Sequence, residues 1–126
     1  LRTSKYKGFT INEELDQVRQ AAQAIFDKKG SNILGVDLRQ VSSITDYCLI
    51  AEGTVDRHLN TLADAVMAVL GNPYMHEGTG GWIVLDYGTV MIHLMDEETR
   101  DYYRIEELWR EGSIVDLQIK TGATHA

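Results

Sequence analysis

Hydrophobic and polar positions follow one another along this chain in blocks that predict a layered α/β arrangement. Leu15, Val18, Ala22, Ile25 and Phe26 share one stripe at helical spacing, with Glu14, Gln17, Gln20, Gln23 and Asp27 on the opposite side. Ahead of them Thr10 and Glu13 form a Thr-x-x-Glu capping box, and Lys28-Lys29-Gly30 closes the segment, so this first helix carries both a start and a stop signal. A short strand is predicted from Asn32 to Leu38 and a turn at Ser42-Ser43. The apolar run Asp46–Ala51, between Thr45 and Glu52-Gly53, has the form of a buried strand. Gly53 and Thr54 hand over to a second helix, with Thr54 as its cap and Asp56 in its first turn. Leu59, Leu62, Ala63, Val66 and Leu70 line one face of that helix before Gly71 stops it.

The strongest β signal is the stretch from Gly81 to Met95. Two runs rich in Trp, Ile, Val and Leu flank Tyr87-Gly88, and a glycine there supplies the positive φ of a tight reversal, so a hairpin is predicted. Alternation puts Trp82, Val84 and Asp86 on one face of its first strand and Ile83, Leu85 and Tyr87 on the other. Both faces are apolar, which requires covering on both sides, by the chain's own helices or by a partner. The preceding strand, helix and strand form a crossover unit, which predicts that the strand near Leu49 and the strand near Val84 run parallel. The linker Gly71–Gly81 holds the one proline, Pro73, and four glycines, and is expected to be a mobile loop. Beyond the hairpin, Asp96 is the expected cap of a third helix through Tyr102. Ile105, Leu108 and Trp109 continue at helical spacing to Gly112, and Ile114–Leu117 is a candidate edge strand. This gives a flexible arm over 1–9, one domain over 10–118 and a tail over 119–126.

Composition narrows the function classes. At 126 residues the chain suits one domain with a sizeable core. Its single cysteine, Cys48, excludes an intramolecular disulfide and points to a reducing compartment, the cytosol. No apolar run approaches the roughly 20 residues of a membrane span. With 12 basic against 19 acidic residues, net −7, the surface field repels phosphate backbones; direct sequence-specific nucleic-acid binding is not expected, and a basic protein is the better electrostatic partner.

Candidate chemistry is sparse. The histidines at 58, 76, 93 and 125 form no pair at metal-ligand spacing, so neither a metal site nor a cofactor is expected. His93, alternating with Met91 and Met95, reads as a half-buried strand histidine, and Cys48 as a small core hydrophobe. The glycines of Gly78-Thr79-Gly80-Gly81 precede a strand, the wrong order for a phosphate cradle. Gly53-Thr54 does follow a strand and open a helix, with Arg57 and His58 nearby, and is the candidate anion-binding position. It motivates the alternative reading of a nucleotide-binding or nucleotidyltransferase-like module. Against that reading, Asp86 stands without the second carboxylate that a magnesium pair needs.

Several separate motifs resemble one family in their order. Thr45-Asp46-Tyr47, then Gly53-Thr54-x-Asp56-Arg57-His58, then Gly81-Trp82-x-x-x-Asp86-Tyr87-Gly88 with His93, and Arg100-x-x-Tyr103-x-x-Glu106-x-Leu108-Trp109 resemble the Iojap family, the ribosomal silencing factors. The likeness runs from about Asp37 to Trp109. It implies an α/β fold, a mixed sheet with flanking helices distantly similar to nucleotidyltransferases, and no catalysis. It further implies binding of the large ribosomal subunit through its fourteenth protein, so that subunit joining is blocked and translation repressed. The positions matching the family's docking surface are Trp82 and Tyr87, with Asp86, Gly88 and Thr89 beside them. Where the family commonly reads Gly-Asp, this chain has Gly88-Thr89, which removes one possible charge partner for a basic ribosomal surface. The resemblance also implies a homodimer, and a dimer made through this hairpin would compete with docking. The docking expectation requires that the Trp82 indole is not wholly enclosed by its own chain.

Overall fold

Two strands that are apolar on both faces lie parallel at the centre of a six-stranded sheet: Tyr47–Gly53 (β2) and Val90–Asp96 (β5). Their near-continuous hydrophobic runs suit a position with layers on either side. The computed structural model describes residues 13–122, so the arm over 1–9 and the capping residue Thr10 lie outside the described residues. Around the central pair stand Ser31–Asp37 (β1), Met75–Thr79 (β3), Trp82–Asp86 (β4) and Ser113–Ile114 (β6), in the order β3-β4-β5-β2-β1-β6. All neighbours other than β2 and β5 pair antiparallel, so the sheet is mixed.

Helices Glu13–Asp27 (α1) and Asp56–Leu70 (α2) cover the central strands on one face, leaving the edge strand β3 exposed. Val18, Ala21, Ala22 and Ile25 of α1 and Leu59, Leu62, Ala63 and Val66 of α2 meet Leu49, Ala51, Ile83, Leu85, Ile92 and Leu94 of the sheet in one continuous core. The helical stripes read from the sequence are the ones that pack on the sheet, except that Phe26 is only partly buried outside this core and Ala21 is enclosed in it. Among the described residues, the helical covering of the other face is Glu97–Tyr103 (α3) and a 3-10 turn, Ile105–Trp109. Asp96 caps α3 as expected, its carboxylate accepting the Thr99 N–H at 2.8 Å.

Four expectations need correction. The strand near Leu49 runs parallel to β5, not to β4; β4 is antiparallel to β5 and separated from β2 by it. The cause is the linker. Instead of a mobile loop, Met75–Thr79 of that linker forms an edge strand against β4, so the chain makes one reversal more than was counted. Thr54 does not cap α2 either: Val55 occupies the cap position, without a side-chain hydrogen bond. The last strand is also shorter than predicted, because Leu117 turns from the sheet edge into the core. The start of the tail is docked, Ile119 against the core and Lys120 exchanging two hydrogen bonds with the Gln23 side chain on α1.

Candidate functional site

The half-covered face follows from strand register. Residues paired across a ladder point to the same side, so Met75, Glu77 and Thr79 of β3 line up with Asp86, Val84 and Trp82 of β4, and these with Met91, His93 and Met95 of β5. Only one end of this surface is roofed. Trp82, Met95 and Ile50 of the sheet pack against Ile105 of the 3-10 turn, with Trp109 closing the cluster. Towards the hairpin turn, Val84, Asp86 and Met91 stay partly exposed and β3 is exposed throughout.

A row of aromatic rings marks the border between roofed and open surface. The Trp82 indole lies 5.1 Å from the Tyr103 ring and 6.0 Å from the His93 ring, which in turn lies 5.6 Å from Trp109, all tilted. Trp82 Nε1–H donates to His93 Nδ1 at 3.2 Å. His93 is more deeply buried than the half-buried strand histidine expected, and burial lowers its pKa to about 4, so it is neutral at ordinary pH. Trp82 itself is only partly buried. Large apolar side chains stand exposed along the row: Tyr103 against Trp82, Tyr102 against Tyr103, and Leu108, Val41 and Ile44 on the side of His93 and Trp109. Burial likewise pushes the Cys48 thiol up to about 12, in keeping with a core role for this residue.

Arg100 holds the roof down. Its guanidinium bridges Glu52 at 3.2 Å and Glu106 at 3.3 Å and donates to the Asn32 carbonyl, tying α3 and the 3-10 turn to β1 and β2. Arg100 belongs to the family-like motif, and of its partners Glu106 stands in the same motif, six positions on, whereas Glu52 and Asn32 are 48 and 68 positions away and carry no local signal.

The five predicted docking residues divide. Trp82 and Asp86 share the half-covered face. Tyr87 packs on the opposite side against the main core, and its hydroxyl donates to the Gly71 carbonyl at 2.6 Å. Gly88 has φ of +88°, as a tight turn requires, and its N–H goes to the Asp86 carboxylate at 2.8 Å. The Thr89 carbonyl accepts from the Asp46 and Tyr47 N–H groups, each at 3.0 Å, and from the Thr45 hydroxyl at 3.0 Å. Thr45-Asp46-Tyr47 thus grips the hairpin through the main chain at 89. Any residue supplies that carbonyl, so threonine in place of aspartate leaves this anchor unchanged.

The candidate anion position is largely occupied by the chain itself. The Thr54 N–H is accepted by His58 Nδ1 at 2.9 Å, and His58 Nε2 contacts the Lys28 carbonyl at 2.8 Å. Gly53 is buried with the Leu59 side chain 2.7 Å from where a Cβ would stand. Arg57 is exposed beside Asp56, whose carboxylate accepts the Gly81 N–H at 3.2 Å. Among the described residues no helix is long and apolar enough to cross a membrane.

Residues 11–126 match the family described as "Ribosomal silencing factor during starvation". The chain is 30% identical over 103 residues to ribosomal silencing factor RsfS of Bacillus subtilis, covering 77% of this chain and 87% of that protein. It is 36% identical over 81 residues to the mouse "Mitochondrial assembly of ribosomal large subunit protein 1", covering 57% of this chain and 36% of that one. A crystal structure of a Chromobacterium violaceum protein superposes with a TM-score of 0.71 at 28% identity, covering 90% of this chain and 98% of that chain. The mixed sheet, the flanking helices and the motifs that the fold brings together therefore place this chain in the ribosomal silencing factor family, the Iojap proteins.

Proposed function

We propose that the chain binds the large ribosomal subunit through that subunit's fourteenth protein and sterically prevents subunit joining, repressing translation without a chemical step. The carrying observation is the half-covered sheet face: partly exposed Trp82, Val84, Asp86 and Met91 in a chain of net charge −7. Such a face suits an apolar anchor on a basic protein and is steered away from rRNA. The name of the mouse relative, which refers to the ribosomal large subunit, supports the choice of subunit. Trp82 is the central anchor and Asp86 a charge partner. Gly88 and Thr89 frame the adjoining turn, while Tyr87 supports it from the core side. Self-association as a homodimer through the same face would compete with docking. The setting is the cytoplasm, where the subunits meet.

Subunit sedimentation tests this. The purified chain is expected to travel with isolated large subunits and to suppress joining when small subunits are added. Trp82→Ala should weaken binding by about 2 kcal/mol, roughly thirtyfold, with the far-UV spectrum retained. Val84→Arg, at a partly exposed position, should weaken it through repulsion from a basic surface. Wild-type protein that stays at the top of the gradient with both subunits would refute the proposal.

A further inference from the structure

Beside the roofed aromatic row lies a groove of about 380 Å³ between the Val41–Ile44 loop and the 3-10 turn, lined among others by Val41, Ile44, Met91, Leu108 and Trp109, with His93 among them. Most of the lining is apolar, with Ser42, Thr45 and Glu111 as the polar exceptions beside His93, and Leu108 is 80% exposed. His93 is the one ring on this surface with two different nitrogens to account for. An indole N–H can only donate, so His93 Nδ1, which receives it at 3.2 Å, carries the lone pair. The ring proton of the neutral imidazole therefore sits on Nε2. Nε2 has no hydrogen-bond partner among the described residues, and it is not among the buried polar atoms left unsatisfied, so it reaches the surface. Trp82 thereby sets the tautomer of its neighbour and leaves an oriented donor at a mainly apolar groove.

We propose that this groove receives a protein segment offering an oxygen acceptor, a backbone carbonyl or a hydroxyl, between apolar side chains, and that the His93 Nε2–H is the group that reads it. The inference rests on the docking function proposed above and names what the partner must present at one point of that face. Charge selects among possible occupants. The charged residue lining the groove is Glu111, and Glu77 and Asp86 lie further along the same sheet face. A segment from a basic protein is favoured there, and a phosphate backbone is repelled. An acceptor is required because a buried donor left without one is costly, which makes an apolar-only partner the worse fit.

Binding to isolated large ribosomal subunits separates the possibilities. His93→Phe keeps a ring of similar size and removes the donor, and its affinity is expected to fall about tenfold. His93→Gln restores an N–H donor and should recover most of that loss. Leu108→Ser, at an exposed wall, should also weaken binding several-fold, and it keeps the groove testable if a His93 variant does not fold. Long-range nitrogen–proton NMR on the free chain should show His93 protonated at Nε2. A folded His93→Phe with wild-type affinity, an equal loss in the Phe and Gln variants, undiminished binding by Leu108→Ser, or an Nδ1–H tautomer would each overturn the proposal. Equal binding of the chain to protein-free ribosomal RNA would do so as well. If the wild type binds neither subunit, the docking function itself fails; if the wild type binds and the groove variants bind equally well, only the groove assignment fails.

Discussion

The two faces of one sheet contrast sharply. On the side of α1 and α2, Leu49, Leu85, Ile92 and Leu94 are fully enclosed, and each helix contributes a complete apolar stripe. On the side of α3, the covering is a two-turn helix and a 3-10 turn, pinned by one arginine and edged by exposed Tyr102, Tyr103 and Leu108. Adjacent residues of β4 alternate between these environments, Leu85 at 0% exposure and Val84 partly open. The contrast separates stability from recognition. The closed face burdens mutation with a folding cost, whereas the open face carries side chains that the chain's own helices leave partly exposed, as the proposed docking requires.

Substitutions on neighbouring residues of β4 give the largest test of this contrast. Leu85→Ala should lower the unfolding free energy by about 3 kcal/mol through lost burial and a cavity, whereas Val84→Ala should lower it by less than about 1 kcal/mol, both read by urea denaturation. Similar losses at the two positions would erase the distinction.

Acidification probes the border between the faces. The fold holds His93 at about 4, below its ordinary 6.5, so between these values the unfolded chain binds the extra proton. The stability from keeping this ring neutral is complete above pH 6.5 and is lost as the pH falls towards 4. The loss is on the order of 3 kcal/mol, and denaturant melts of His93→Phe should lack that component.

Arg100→Met should cost about 2 kcal/mol, because Glu52 and Glu106 would lose their shared partner in a site where their side chains are only 14% and 30% exposed. It should also loosen the roof and flatten the near-UV signal of the aromatic row while leaving the α1 and α2 core intact. The smallest effect is expected from Tyr87→Phe. Loss of the hydroxyl bond to Gly71 should cost about 1 kcal/mol and leave large-subunit binding unchanged, since Tyr87 faces away from the proposed docking surface.

Much of the architecture was legible locally. The stripes of α1 and α2, the Asp96 cap and the reversal at Gly88 each depend on residues within a few positions of one another, and each appears where the pattern puts it. Strand partnership was less legible. Met-His-Glu-Gly-Thr in β3 has neither β-branched density nor apolar alternation, and it becomes a strand because the exposed edge of β4 offers a ladder. That one addition reversed the direction expected for β4. Among the candidate site residues, alternation already separated Trp82 and Asp86 from Tyr87, while the motif resemblance grouped them; the sheet sides with alternation. Thr54 was read as a cap from its residue type, but His58, one turn on, takes its N–H.

By itself the sequence determined the periodic elements, the acidic surface and, through its motifs, the family, because these are carried by short-range spacing and by composition. Which strand lies beside which, which half of a two-faced sheet stays open, the ion pairs of Arg100 and the tautomer of His93 were decided only by the tertiary structure. These depend on groups far apart in the chain meeting at hydrogen-bond distance, and no local pattern encodes a contact whose partner is fixed only once the sheet has closed.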